Sequence, residues 1–315
     1  MDEPRIRMGI STCLLGEKVR YDGQHKHDPY LTGTLGRFFE WVPVCPEVEC
    51  GLSIPREAMR LVGDPDRPRL VTQKTGIDHT DRMQAWARKR LRELEPLGLH
   101  GYVFKRASPS SGLERVKVYD ASGGLPRKVG VGIWARAFTE HFPLLPVEEE
   151  GRLHDPALRE NFIERVFALK SFRETLARGR TRANLVDFHA RHKLLLMAHA
   201  PEKLRALGRL VAHAKELPTG ELFERYQALF LETLAVHATV RKHVNVLQHM
   251  LGYFKRLLDA DEKAELLEAI EQYHAELVPL VVPLTLLKHY IRKHGEPYLA
   301  AQVYLSPHPV ELRLR

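Results

Sequence analysis

The apolar rhythm of the chain changes once, near Pro143, and that change sets the architecture. Ahead of it, Arg7–Ser11, Trp41–Cys45, Tyr102–Lys105 and Val116–Tyr119 read as strands, each bounded by Gly, Pro or Ser. Between them Thr80 precedes a helical pattern to Leu94, with Met83, Ala87 and Leu91 on one face, and Val131–Phe142 reads as a closing helix. Strands alternating with helices predict an α/β domain with a mostly parallel sheet, whose site lies beyond the carboxyl ends of the strands. Cys13 and Cys45 fall at two such ends. After Pro143-Leu-Leu-Pro146 and three glutamates the pattern is helical throughout. Asp155-Pro156, Ala200-Pro201-Glu202, Pro218-Thr219-Gly220-Glu221, Asp259–Glu262 and Gly295-Glu296-Pro297 punctuate a bundle of about seven helices. The prolines and acids read as a solvated linker, so an α/β domain over residues 1–147 and an all-α helical bundle over 148–315 are expected.

Composition narrows the function classes. With 44% hydrophobic and 28% charged residues, the 315-residue chain can bury a sizeable core. Its longest apolar run, Leu277–Leu287, is too short for a membrane span and contains Pro279 and Pro283. Met1–Met8 has no apolar core of the kind a secretory signal needs, so a cytoplasmic location is the expectation. A net charge of +8 gives a mild bias toward polyanions. All three cysteines, Cys13, Cys45 and Cys50, lie in the front half, whereas histidine concentrates behind it. Soft metal chemistry therefore belongs to the front, with reduced thiols rather than a disulfide framework.

Three segments follow strands as loops. They are Ser11-Thr-Cys-Leu-Leu-Gly16 with Arg20-Tyr-Asp-Gly23, then Pro43-Val-Cys-Pro-Glu47 through Gly51-Leu52 to Pro55-Arg56, then Lys105 through Ser108-Pro-Ser-Ser-Gly112. Each sets a thiol or small side chain beside Gly or Pro, which gives rigid turns able to hold a group close. Taken singly, such a cysteine is most often a small buried hydrophobe. In order and spacing, however, the segments resemble the TudS desulfidase family, over roughly residues 6–145. The resemblance implies a 4Fe-4S cluster held by three cysteinates, with one iron open to substrate sulfur. Cys13 and Cys45 match two of the ligands, and Ser111 stands where the family has its third cysteine. A serine oxygen is a hard donor for a soft centre. Cys50 could substitute, Ser111 could itself serve, or the cluster could be lost.

The implied chemistry is removal of a thiocarbonyl sulfur by water, with iron as Lewis acid. Glu47, Ser108 and Ser110 are the candidates for proton transfer, and Lys105 for stabilising developing negative charge. For Arg20, Asp22 and Arg56 a loop ion pair is at least as good a reading as substrate contact.

In the back half, Arg241, Lys242, His243, Asn245, Gln248, His249, Lys255 and Arg256 supply donors with few acids, a pattern suited to phosphate and ribose, with Tyr253 or Phe254 able to stack on a base. The plain alternative is a solvated helix face. His189, His192 and His199 also share a face, but without a nearby carboxylate or cysteine they make a poor metal site. Residues 151–315 resemble the YbgA-like domain that is fused to TudS domains in RudS proteins, through Asn245–Arg256, Leu277–Leu284 and Gln302–Pro309. That fusion implies removal of sulfur from 4-thiouridine in tRNA, the helical domain supplying tRNA affinity. Two further readings stay open: a catalytically silent RNA-binding protein, and a desulfidase of free thiopyrimidines.

Overall fold

Strand β1 (Ile6–Ser11) is buried on both faces, and that double burial places it inside a parallel sheet. In the computed structural model, which describes residues 5–120, 124–312 and 314, β1 pairs in parallel with β2 (Phe39–Val44) on one side. Helix α1 (Pro46–Glu49) follows β2 directly. Strands β3 (Met59–Val62) and β4 (Arg69–Thr72) form an antiparallel pair, and α2 (Thr80–Leu94) comes next. Strand β5 (Tyr102–Phe104) joins the other side of β1. Strands β6 (Val116–Tyr119) and β7 (Arg127–Gly130), helix α3 (Ile133–His141) and strand β8 (Val147–Glu149) complete the series.

The first sheet has the order β2-β1-β5-β8 and is parallel throughout, and the second, β4-β3-β6-β7, is mixed. The chain leaves β1 for β2 on one side and later returns to β5 on the other. A crevice opens at such a reversal, beyond the carboxyl ends of the strands. Below it, α2 buries Met83, Ala87, Leu91 and Leu94, an apolar stripe at helical spacing. Tyr102, Phe104, Trp134 and Phe138 form an aromatic cluster, with Tyr102 and Phe104 stacked at 4.2 Å between centroids.

The expected linker is a structural element. Val147–Glu149 pairs in parallel with β5, and its glutamates are turned to use rather than to solvent. Glu149 accepts the Leu113 amide at 2.8 Å, and Glu148 accepts Arg152 Nε at 2.7 Å. The two compact units are Met1–Arg159 and Glu160–Arg315, so the division falls beyond the expected 147/148. Residues 1–4 of the expected front domain lie outside the described residues.

The second unit is helical: α4 (Pro156–Arg178), α5 (Arg182–His199), α6 (Pro201–Ala212), α7 (Thr219–Ala235), α8 (Val240–Leu251), α9 (Ala260–His274), α10 (Val281–His294) and the single turn α11 (Pro297–Ala300). Its caps are those the punctuation predicts. Asp155 accepts the Ala157 and Leu158 amides at 2.9 and 3.0 Å, and Asp259 with Glu262 forms a reciprocal capping box. Phe172, Phe188, Tyr226 and Phe230 fill the core. Among the described residues no helix is long and apolar enough to cross a membrane.

Candidate active site

Three loops leave the carboxyl ends of β1, β2 and β5 and enclose a cavity of about 400 Å³. Cys13 sits in a short 3-10 turn that ends at Gly16, whose φ of 96° favours glycine. Cys45 stands between β2 and α1, its amide held at 2.8 Å by Glu49, which in turn pairs with Arg90 at 3.1 Å. Ser108–Gly112 forms the third wall. The Ile133, Trp134 and Ala135 amides at the start of α3 donate to the Pro109 and Ser110 carbonyls, so the unpaired end of a helix clamps this loop. Gly132 permits that approach, because a Cβ there would collide with the Ser110 carbonyl.

Cys13, Cys45, Glu47, Lys105, Ser108 and Ser111 all line this cavity. Ser110 is fully buried behind it, and its hydroxyl donates to Glu47 Oε1. The Ser108 and Ser110 hydroxyls lie 2.9 Å apart, so Glu47, Ser110 and Ser108 form one hydrogen-bonded chain ending in the cavity. Glu47 Oε2 takes the Cys45 thiol at 3.7 Å and faces Arg56 at 3.8 Å. Lys105 is paired with Glu150 and donates to the Arg106 carbonyl at 3.1 Å. Its charge therefore reaches the cavity already half balanced. Arg20 pairs with Asp22 at 3.3 Å, a loop ion pair.

Burial pushes the Cys13 thiol up to about 11 and the Cys45 thiol up to about 12, with Glu47 adding to both and Lys105 opposing the rise at Cys13. Burial thus disfavours a free thiolate at either position.

The structure does not bring Cys50 into the cavity. Its thiol donates to the Glu47 carbonyl at 3.3 Å and packs with Leu61, Leu70, Met83, Val116 and Val118. Arg82 fixes that loop through the Cys50 and Gly51 carbonyls at 2.6 and 2.7 Å. Among the described residues, the side chains that reach the cavity and suit an iron–sulfur group are thus Cys13, Cys45 and Ser111. They offer two soft donors and one hard one.

Sequence reasoning left Glu150 and Glu49 out of the site. Both belong to acidic pairs or runs beside a strand end, and that adjacency, rather than their charge, was the available signal. It also missed a second cavity of about 580 Å³ that shares Met59, Gln73, Arg106, Ala107 and Pro109 with the first. Arg60, Arg106, Arg115, Lys117, Lys128 and Arg152 line it against Glu114 and Glu149.

The helical residues expected to meet RNA divide into two sets. Arg241, Asn245, Gln248 and His249 are exposed along one face of α8, and Lys255 and Arg256 are exposed beyond it. Lys242 instead donates to the His199 and His237 carbonyls at 2.6 and 2.9 Å, and His243 bonds the Tyr304 hydroxyl at 2.9 Å. Phe254 is in the core and cannot stack on a base, whereas Tyr253 is exposed and stacks on Tyr298. His192, fully buried, donates to the Phe188 carbonyl at 2.8 Å while its Nε2 makes no hydrogen bond, and the half-buried His189 bonds the Tyr226 hydroxyl at 3.1 Å.

Comparison with known proteins gives each half a relative. A family model described as 2-thiouracil desulfurase matches residues 8–150, and one described as a protein of unknown function (DUF1722) matches residues 193–309. The uncharacterized protein YbgA of Escherichia coli K12 is 33% identical over 152 residues, 48% of this chain and 90% of the relative. The uncharacterized protein YbbK of Bacillus subtilis 168 is 28% identical over 108 residues, 33% of this chain and 71% of the relative. A solved structure, described as the 4Fe-4S-dependent thiouracil desulfidase TudS, is 30% identical and superposes with a TM-score of 0.38, covering 48% of this chain and 95% of that one.

Proposed function

From a chain that belongs to the YbgA-like family of unknown function (DUF1722) and carries a 2-thiouracil desulfurase domain ahead of it, we propose a desulfidase of thiopyrimidines whose substrate is 4-thiouridine in tRNA. The observation that carries this reading is the meeting of Cys13, Cys45 and Ser111 with the Glu47–Ser110–Ser108 chain in one cavity. The net reaction exchanges the thiocarbonyl for a carbonyl: water supplies oxygen to the ring carbon and both protons leave with the sulfur as hydrogen sulfide. No electron donor is required.

Cys13, Cys45 and Ser111 would hold the iron–sulfur cluster, which when bound supplies a Lewis-acidic iron with affinity for sulfur. Among the described residues Glu47 is the only carboxylate lining this cavity, and it takes the proton from the attacking water. Ser110 keeps that carboxylate aimed, and Ser108 carries the hydrogen-bonded chain to the cavity surface. Lys105, its charge partly balanced by Glu150, lines the cavity where negative charge develops on the departing sulfur.

The adjoining cationic cavity favours a substrate that carries phosphate over a free base, and the exposed donors of α8 suit a polynucleotide. The test is sulfide release by anaerobically purified protein from thiolated tRNA, from the same tRNA without sulfur, and from free 2-thiouracil and 4-thiouridine. Release from thiolated tRNA that far exceeds release from the free compounds is expected. Tight binding of both tRNAs with no sulfide would instead identify a silent RNA-binding protein.

A further inference from the structure

The second cavity, about 580 Å³, opens from the first along Met59, Gln73, Arg106, Ala107 and Pro109 and lies wholly within the α/β unit. Part of its wall is the outward face of the second sheet. Leu61, Val116 and Val118 turn inward to the core, so the alternating Arg60 and Lys117 face out. Leu61 stands beside Val118 in register, which sets Arg60 next to Lys117, and Lys117 in turn lies directly opposite Lys128. Three cations thus form one row across β3, β6 and β7, and all three line the cavity. Like charges placed opposite each other weaken a strand pair, so this row suits an anion rather than the sheet.

The acids of the cavity do not quench the row. Glu114 is taken by Arg152 at 2.9 Å, and Glu149 by the Leu113 amide at 2.8 Å. Among the described residues no carboxylate forms an ion pair with Arg60, Arg106, Arg115, Lys117 or Lys128. Arg60 lies over the Tyr119 ring, its guanidinium carbon 5.0 Å from the centroid, which leaves its N–H edge for an acceptor. The backbone is also strained here. Ala107 and Arg115 line this cavity with φ of 57° and 53°, two of the three non-glycine residues with left-handed φ among the described residues. Such conformations cost energy and collect where a site requires them.

We propose that this cavity binds the backbone of a single RNA strand, at least two consecutive phosphates, while one base of that strand turns into the cysteine cavity. A base reaches a loop-enclosed cavity only by leaving its stack, and cations spread over three strands exceed what one phosphate can use. Which base enters rests on the desulfidase reading above. The phosphate contacts do not, because they need neither sulfur nor iron. The α/β unit thereby recognises RNA on its own surface, apart from the donors of α8.

The test uses the full-length chain and a fluorescein-labelled, unthiolated oligouridylate. Fluorescence anisotropy should show the single strand bound about tenfold more tightly, or better, than the same strand annealed to oligoadenylate. Lys117→Ala/Lys128→Ala should weaken single-strand binding by about tenfold and lower the salt slope of log affinity by about 1.4, two contacts at about 0.7 each. Both lysines are exposed, so this variant should keep the circular dichroism of the parent. Lys215→Ala/Lys263→Ala removes the same charge from exposed positions elsewhere and should change neither value. Uridine monophosphate should displace the labelled strand far less well than a uridine trinucleotide. Parent-like affinity and slope in Lys117→Ala/Lys128→Ala, a duplex bound as tightly as the single strand, or a monophosphate as effective as the trinucleotide would each overturn the assignment. A parent that grips the strand through these lysines yet releases no sulfide from thiolated tRNA would uphold the assignment and remove the desulfidase reading.

Discussion

The two halves of this molecule hold their chemistry in contrasting ways. In the α/β unit the reactive side chains stand on loops at the ends of parallel strands, where backbone turns fix them and a cavity exposes them. In the helical unit the buried ion pair of Glu164 on α4 with His199 at the end of α5 is held inside the packing. The front offers soft sulfur donors and an acid–base chain, whereas the back offers carboxylates and imidazoles. A side chain on such a loop can change without disturbing the sheet. A buried helical site cannot lose a partner without leaving a charge inside.

The sharpest way to break this contrast is at Glu47. Glu47→Gln keeps the shape and removes the base, so the turnover rate for sulfide release should fall by about 10² to 10⁴-fold while tRNA affinity stays within about twofold. Unchanged turnover would transfer the proton step to another group.

Acid should act on the helical half. Burial holds His189 down to about 4 and His192 down to about 3, both below the ordinary histidine value of 6.5. The unfolded chain therefore takes up protons that the folded chain refuses, so this stability is present above pH 6.5 and is lost as the pH falls toward 4. At pH 5 the loss amounts to about 2 kcal/mol per histidine relative to pH 8. His192→Gln should flatten the pH dependence of chemical denaturation followed by helical circular dichroism. An equally steep dependence in that variant would remove His192 as its source.

The cysteines separate next. Cys50→Ala should leave iron content unchanged, because that thiol lies in an apolar cluster, and should cost about 1 kcal/mol of stability for the lost packing. Ser111→Cys should raise iron retention, since it turns the hard donor soft. Iron lost on Cys50→Ala would mean that the loop held by Arg82 rearranges. The smallest effect belongs to the helical surface. Arg241→Ala or Arg256→Ala should weaken tRNA binding modestly and lower the salt slope of log affinity by about one each if each side chain meets a phosphate.

Much of this was legible from single residues and their spacing. β1 and β5 show as apolar runs because both faces are buried, β6 shows as an alternation with one face buried, and α2 shows because Met83, Ala87 and Leu91 repeat at helical spacing. β3, β4 and β7 did not show, because they are short and their sequences mix charged with apolar residues. β8 resembled a linker, since its glutamates look solvated until Leu113, Lys105 and Arg152 are brought to that edge by long-range pairing. Cys13, Cys45, Glu47 and Ser108 could be assembled from loop chemistry. The position of Cys50 could not, because a residue five places after Cys45 can face either way and Arg82 decides it. Helical spacing gave the stripe on α8, yet it could not show that Lys242 and His243 are occupied by carbonyls and a tyrosine. Glu164 and His199 were invisible as a pair, because only the fold joins them.

Anaerobic sulfide release from 4-thiouridine-containing tRNA, compared between the parent chain and Cys45→Ala, tests the central claim most directly. The account predicts stoichiometric conversion to uridine by the parent and none above background by the variant, with both proteins folded. Equal release by the two, or none by an iron-loaded parent, would contradict it.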